Sequence, residues 1–200
     1  MISHKNKFIF VHTPKTGGDS INSVLQPYSE EKYEIHSARK CLKISCSDFF
    51  EGYEKHTPLS QIYKNWKPEY NNLDEYYKFG VVRNPWDRAI SWYFYRSNHS
   101  HFDKKTFLNF LPRRSCFNYF QVEGFKIKKM DYIIRFEYLQ EDFNFVCGKI
   151  GLPRLNLPHR NKRKHKHYSE YYDDEMVRAV QNLYAQDIYH FGYKFNQAKI

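Results

Sequence analysis

The chain begins with a transition from an apolar strand pattern to an amphipathic helix pattern. Residues 8–11 are continuously apolar, which is typical of a short strand buried on both faces of a parallel sheet. A turn with two glycines follows at 13–18, and apolar residues then recur at helical spacing over Ile21–Leu25. Pro27 ends that pattern. This stretch is predicted to fold as a strand, a tight turn and a helix.

The same alternation returns in the rest of the chain. A second apolar strand is predicted at 78–83, and Asn84-Pro85 provides an N-cap and a first helical residue for the helix that follows. A third strand is predicted at 132–136 with a helix at about 140–150, and one long helix at 173–188 ends the pattern. Strands that alternate with helices predict an α/β fold of three layers, a central parallel β-sheet flanked by helices.

Length and charge narrow the class of protein. The 200 residues are sufficient for one domain over 1–200 with a hydrophobic core, and a hydrophobic content of 41% excludes a generally disordered chain. Lys and Arg number 32 against 22 Asp and Glu, so the formal net charge is +10. This excess favours an anionic partner, although charge alone does not identify the anion.

The cysteines and the apolar runs predict the compartment. Cys41, Cys46, Cys116 and Cys147 form no C-x-x-C pair, and we interpret them as reduced thiols. His36, Cys41 and Cys46 do not have the spacing of a common zinc site, so no metal is expected. The chain has no secretory leader pattern and no apolar run of about 18 residues. A cytoplasmic protein without a membrane span is expected.

The turn at 13–18 has the composition of an anion site. A glycine-rich turn between a buried strand and a helix points backbone N–H groups and the positive helix end at one place, and Lys15 adds a full charge. The alternative is an ordinary turn that needs two glycines for its geometry. The nucleotide-binding consensus G-x-x-x-x-G-K-[ST] is absent, because here the lysine precedes the glycines.

Several segments together resemble the sulfotransferases that use 3′-phosphoadenosine 5′-phosphosulfate (PAPS). Residues 13–20 resemble the loop that binds the 5′-phosphosulfate in that family, and 81–93 resemble its strand and helix for the 3′-phosphate. The resemblance continues through 134–139 and 187–193, and it fits best the branch that contains the carbohydrate sulfotransferases. It implies a P-loop-like version of the three-layer fold.

The resemblance implies roles for matching residues. Lys15 would contact the 5′-phosphate and the oxygen that bridges phosphate and sulfate, and Arg83 and Ser91 would hold the 3′-phosphate. Arg83 ends a predicted strand, where sheet ligands gather, and Ser91 lies two turns into the next helix. The remaining predicted donor-binding residues are Thr16, Gly17, Gly18, Asp19, Ser20, Arg160, Asn161 and Lys164.

Asp19 departs from the family pattern, which usually has Thr or Ser at this position. The departure puts a negative charge beside a predicted anion site. Two explanations stay open: Asp19 stabilises the positive end of its helix by roughly 0.3 to 1 kcal/mol, or it accepts a hydrogen bond from a hydroxyl group.

A general base is required for transfer to a hydroxyl near neutral pH. His36 follows a predicted strand at 33–36 and resembles the histidine that this branch places after its second strand. We predict His36 as the base and Lys15 as the second catalytic residue. His12 is typical of the loop motif but fits a structural role. Glu137 matches an acid of the family, or it pairs with Arg135 or a neighbouring lysine.

The segment 159–167 carries five Lys and Arg residues. It fits a solvated loop, a nucleic-acid patch or a lid over an anionic cofactor, and the resemblance favours the lid because that family has a nucleotide-facing loop here. The aromatic residues over 53–77 fit either core positions or platforms for sugar rings.

The predicted function is transfer of the sulfuryl group from PAPS to a hydroxyl of a carbohydrate or glycan, by in-line displacement with a general base. One alternative is a nucleotide or small-molecule kinase on the same core, for which the sequence has no matching Walker motif. The other is a basic nucleic-acid-binding protein, for which it has no reader motif. The acceptor, the sulfated position and the oligomeric state stay open.

Overall fold

The computed structural model describes residues 1–30, 55–67, 70, 72–97, 101–122, 129–158 and 166–196. Within this part of the chain, one sheet has the strand order β1-β2-β3-β4. The strands are β1 (Ile2–Ser3), β2 (Phe8–Val11), β3 (Tyr77–Val82) and β4 (Tyr132–Arg135). β2, β3 and β4 are parallel, and β1 is an antiparallel edge strand. The predicted central parallel sheet is therefore confirmed for β2–β4, whereas the short β1 was not predicted.

Helices connect and cover the strands. In the described residues they are α1 (Gly18–Leu25), α2 (Leu59–Lys64), α3 (Pro85–Arg96), α4 (Lys104–Asn109), α5 (Phe117–Phe120), α6 (Leu139–Lys149), α7 (Asp174–Leu183) and α8 (Ala185–Phe191). α3 begins as predicted: the Asn84 side chain accepts a hydrogen bond from the Trp86 N–H at 3.1 Å, and Pro85 is the first helical residue. None of these helices combines the length and apolarity that a membrane span needs.

The sheet separates two hydrophobic cores. Phe8 and Phe10 point from β2 towards α1 and α6, and Ile9 and Val11 point to the opposite face, where α3 and α7 pack. This alternation is the period of a strand, and full burial of each such side chain contributes about 1.5 to 3 kcal/mol. Helices thus flank both faces of the sheet, which makes the predicted three layers.

The predicted long C-terminal helix is two helices. α7 ends at Leu183 and α8 begins at Ala185, because Tyr184 has φ −113° and ψ 31°. The buried Tyr184 hydroxyl donates to the Pro112 carbonyl at 2.6 Å. The break gives α8 its own direction, and with it Asp187 lies in the core. The predicted strand at 33–36 lies outside the described residues.

Candidate active site

Two threonines fix the loop between β2 and α1. The buried Thr13 hydroxyl donates to the Val81 carbonyl of the neighbouring strand β3. The Thr16 hydroxyl, also buried, lies 2.9 Å from both the hydroxyl and the carbonyl oxygen of Thr13. Both hydroxyl groups are therefore used within the loop and on β3, so an anion would meet the backbone of Thr16 rather than its side chain.

Both glycines of the loop are required by their surroundings. Gly17 has φ +80°, a left-handed conformation, and a Cβ there would lie 3.0 Å from the Phe136 ring. A Cβ at Gly18 would overlap the ring of His12, which is buried. The loop passes so close to these rings that only glycine fits.

Lys15 has a left-handed backbone conformation although it is not glycine. Its φ is 64°, which costs roughly 1 to 2 kcal/mol for an L-residue. The ammonium group lies 4.2 Å from the centroid of the Tyr95 ring of α3, a cation–π contact. Tyr95 is 44% exposed, so the pair lies at the surface.

Arg83 connects the second predicted motif to this loop. Its Nε and Nη2 donate to the two carboxylate oxygens of Asp87 at 2.8 and 2.9 Å, and its Nη1 donates to the Lys15 carbonyl at 3.1 Å. The guanidinium carbon also lies 4.1 Å from the centroid of the Phe136 ring. Among the described residues these bonds use three of the five N–H groups of a guanidinium, so one N–H on each Nη can still bind an anion.

Ser91 shares a helix face with the residues that contact the loop. It lies four residues after Asp87 and four before Tyr95 on α3, and residues at this spacing lie on one side of a helix. Asp87 reaches the loop through Arg83 and Tyr95 reaches it through Lys15. Ser91 therefore lies between two loop-contacting neighbours.

The negative charge of Asp19 is balanced by a lysine of the same chain. Lys55 Nζ lies 2.5 Å from Asp19 Oδ1, and Asp19 is in the first turn of α1, where the helix dipole favours a carboxylate. Asp19 thus stabilises the helix start and holds Lys55, a cation, beside the predicted anion site.

Two histidines pack against each other beside the loop. His12 is buried, and burial together with the nearby His56 and Lys55 holds the pKa of His12 well below its usual value. His56 Nδ1 lies 2.9 Å from the His12 carbonyl oxygen. Because a carbonyl only accepts, Nδ1 carries the proton and the unprotonated nitrogen of neutral His56 is Nε2. Burial also lowers the pKa of His56, which favours this neutral form.

Ser20 and Gln140 hold the chain that leads into the basic segment. The Ser20 hydroxyl donates to the Pro158 carbonyl at 2.7 Å. The Gln140 side chain donates to the Leu155 carbonyl at 3.0 Å and accepts from the Leu157 N–H at 2.8 Å. The residues just before 159 are therefore fixed to the start of α1.

Glu137 has a structural role. One carboxylate oxygen accepts from the Asn84 N–H at 2.7 Å, and the other accepts from the Tyr193 hydroxyl at 3.1 Å. It therefore fixes the start of α3 against the C-terminal residues and is not paired with Arg135, whose Nη2 donates to the Phe191 carbonyl at 2.6 Å.

Four predicted site residues, His36, Arg160, Asn161 and Lys164, lie outside the described part of the chain. Within the described ranges, no three His, Cys, Asp or Glu side chains are grouped as a metal site would require.

Sequence reasoning missed several residues of this site, among them Asp87, Tyr95 and His56. Asp87 and Tyr95 have a recognisable signal, since they stand at positions i+4 from Arg83 and Ser91. His56 has none, because 44 residues separate it from its partner His12.

A comparison with protein families agrees with this geometry. A family model described as the sulfotransferase family matches residues 1–122, which include the loop at 13–18, Arg83 and Ser91. No curated protein and no solved structure matches the chain. Because the family match spans more than half of the 200 residues, the chain belongs to the sulfotransferase family and is a sulfuryl-transferring enzyme.

Proposed function

We propose that this sulfotransferase moves the sulfuryl group of PAPS to a hydroxyl of a carbohydrate or glycan by in-line displacement, on a P-loop-like three-layer fold. The observation that carries the proposal is the bond from Arg83 to the Lys15 carbonyl. It joins the two segments whose sequences suggest opposite ends of one bisphosphorylated nucleotide.

The chemistry of the described residues fits such a donor. The two glycines have no side chain that would keep an anion from the backbone of the turn, Lys15 supplies a full positive charge, and among the described residues Arg83 uses three of its five N–H groups. When bound, the donor supplies an activated sulfuryl group with a phosphate as its leaving group. Charge-assisted bonds from guanidinium and ammonium groups are those that recognise phosphate best.

Lys15 has the catalytic role in this proposal. Negative charge grows on the bridging oxygen as the sulfur–oxygen bond breaks, and a positioned ammonium group stabilises that charge. Its contact with Tyr95 keeps the ammonium group near the surface of the loop, where a second substrate can approach. The exposed Tyr95 ring also supports a carbohydrate acceptor, because an aromatic face is an apolar platform with the width of a sugar ring.

The base removes the proton from the acceptor hydroxyl. The sequence favours His36 for this role, and the contacts of His56 support it as a second candidate: a neutral imidazole with Nε2 unprotonated, beside the loop. Replacing the true base by alanine should abolish transfer and leave affinity for the nucleotide product nearly intact.

Calorimetry tests the donor assignment. We expect 3′,5′-adenosine bisphosphate to bind in preference to ATP with magnesium. Arg83→Ala should weaken the bisphosphate by about 10- to 100-fold, the value of a charge-assisted bond, and should affect adenosine 5′-phosphate much less.

Arg178→Ala, which removes the same charge from an exposed position of α7, is the matched control and should change neither affinity. Equal losses for both nucleotides in Arg83→Ala would contradict a role of Arg83 at the 3′-phosphate and would leave only its bond to the Lys15 carbonyl. A preference for ATP with magnesium would favour the kinase alternative.

A further inference from the structure

Two arginines hold the peptide units on both sides of Lys15. Arg88 Nε donates to the Pro14 carbonyl at 3.1 Å, and Arg83 Nη1 donates to the Lys15 carbonyl at 3.1 Å. The first carbonyl belongs to the peptide unit before the Lys15 Cα, and the second to the unit after it. We infer that Arg88 is a positioning residue, which together with Arg83 sets the backbone dihedrals of Lys15 and so the direction of its side chain.

We call these two bonds, from Arg88 and Arg83 to the carbonyls on either side of Lys15, the clamp. The backbone conformation of Lys15 explains why it is needed. A non-glycine residue with φ 64° keeps that conformation only where its surroundings impose it. The dihedrals φ and ψ are the rotations of the two flanking peptide planes about the Cα, so fixing both planes fixes both angles. The threonine bonds at 13 and 16 hold the loop to β3, but neither contacts the Pro14 or Lys15 carbonyl.

Arg88 is itself held from the far side of the core. It is 1% exposed, its Nη2 donates to the Arg114 carbonyl at 3.0 Å, and its Nη1 lies 3.9 Å from Asp187 Oδ2. Asp187 also accepts from the backbone N–H groups of Cys116 and Phe117 at 2.8 and 2.7 Å. Asp187 therefore provides a buried counter-charge that orients Arg88 towards α8 and α5, and Arg88 in turn bonds to the loop.

The inference rests on the proposed role of Lys15 for its kinetic consequence. Arg88→Lys keeps the charge but cannot reach two carbonyls and a carboxylate at once, since lysine lacks the guanidinium fork. A displacement of about 1 Å at a catalytic group can cost on the order of 10²-fold in rate. We expect Arg88→Lys to lower kcat by about 10- to 100-fold, with a much smaller change in affinity for the bisphosphate.

Arg135→Lys is the matched control. Arg88 lies over the Tyr184 ring and donates to backbone carbonyls. Arg135 likewise donates to a backbone carbonyl, that of Phe191, and lies over a tyrosine ring, that of Tyr193, but these partners are far from the loop in sequence and do not contact Lys15 in the described part of the chain. Arg135 is less buried than Arg88, so Arg135→Lys should lose less stability, and it should keep the kcat of the folded enzyme. Equal losses of kcat in the two variants would overturn the positioning role.

A spectroscopic measurement tests the clamp without any turnover. In protein with ¹³C-labelled lysine side chains, the ring current of Tyr95 should shift the Lys15 signal, because Nζ lies 4.2 Å from the ring centroid. Lys15→Met identifies the signal, and Tyr95→Leu gives its unshifted position. Arg88→Lys should move the signal towards the unshifted position, and Arg135→Lys should leave it in place.

Asp187→Asn provides a second route if Arg88→Lys does not fold. It removes the charge that orients Arg88 and should move the Lys15 signal in the same direction. A Lys15 signal that stays at its original position in the folded variant overturns the inference. A wild-type enzyme that shows the ring-current shift but no transfer from PAPS would instead contradict the proposed function and leave the clamp standing.

Discussion

The close approach of Gly18 to His12 gives opposite signs to two substitutions that look alike in sequence. Gly18 is the first residue of α1, and Gly148 lies near the end of α6. Alanine in a helix is usually more stable than glycine by roughly 0.5 to 1 kcal/mol. At Gly148 a Cβ has nothing within 4 Å, so Gly148→Ala should stabilise the protein by about this amount.

At Gly18 the new methyl group would overlap the His12 ring. That ring is 5% exposed, stacks on Phe10 with 5.5 Å between centroids, and has His56 against it at 4.7 Å. Overpacking of a buried position costs about 1 to 3 kcal/mol, which exceeds the helix gain. Gly18→Ala should therefore lower the free energy of unfolding by about 1 to 2 kcal/mol.

Urea denaturation of the two variants measures both effects. The slopes should agree with wild type, so that the midpoints report stability directly. The midpoint should fall for Gly18→Ala and rise for Gly148→Ala. A rise in both would refute the reasoning, because it would mean that the His12 ring can yield without cost.

Three further predictions concern the lysine and the histidines. Lys15→Ala should lower kcat more than it weakens bisphosphate binding, since in the proposed mechanism the charge that Lys15 stabilises develops only in the transition state. Proportional losses in kinetics and calorimetry would contradict this. If His36 is the base, kcat/KM should rise through about pH 6 to 7. If His56 is the base, the rise should occur at lower pH, since burial lowers the pKa of His56. In either case this rise of kcat/KM with pH should disappear when the base is replaced by alanine. Finally, burial keeps His12 neutral in the folded state, whereas His12 of the unfolded chain binds a proton below about pH 6.5. The free energy of unfolding should therefore fall as the pH drops below this value. For this one group the fall is at most ~1.4 kcal/mol per pH unit. His12→Asn should make the fall shallower in chemical denaturation at several pH values, and parallel curves would contradict it.

The main strands could be predicted because each is a short, mostly apolar run of residues, which is typical of a buried strand. β2 has the predicted bounds of Phe8–Val11, β3 is shifted by one residue at both ends, and β4 ends one residue earlier than predicted. β1 could not be predicted, since two residues have no period and pair only because β2 offers an edge. The break at Tyr184 depends on a bond to Pro112, 72 residues away, which the local helix pattern does not contain.

Some residues of the candidate site could likewise be predicted from the sequence, and others could not. The glycine turn and Arg83 could be recognised from the residues next to them in the sequence. Each follows a parallel strand, and the ends of parallel strands lie at the same edge of the sheet, so their proximity could also be predicted. The balance of Asp19 by Lys55 and the environment of His56 depend on side chains that meet only after folding. The sequence left two explanations for Asp19, and the ion pair with Lys55 adds a third that no spacing could reveal.

The bonds from Thr13 to Val81 and from Arg83 to Lys15 each span 68 residues. The loop therefore gains its shape only when β2 and β3 have paired, and a fragment that ends before Tyr77 contains the glycines without Val81, Arg83 and Arg88, whose bonds hold the loop from outside. A nucleotide that needs this shape binds the native state and not the unfolded chain. Such a ligand stabilises the native state by about 2.7 kcal/mol at 100 times its Kd. The substrate of this enzyme should thus also protect it from unfolding and proteolysis, and the amount of intact enzyme should depend on the supply of its own donor.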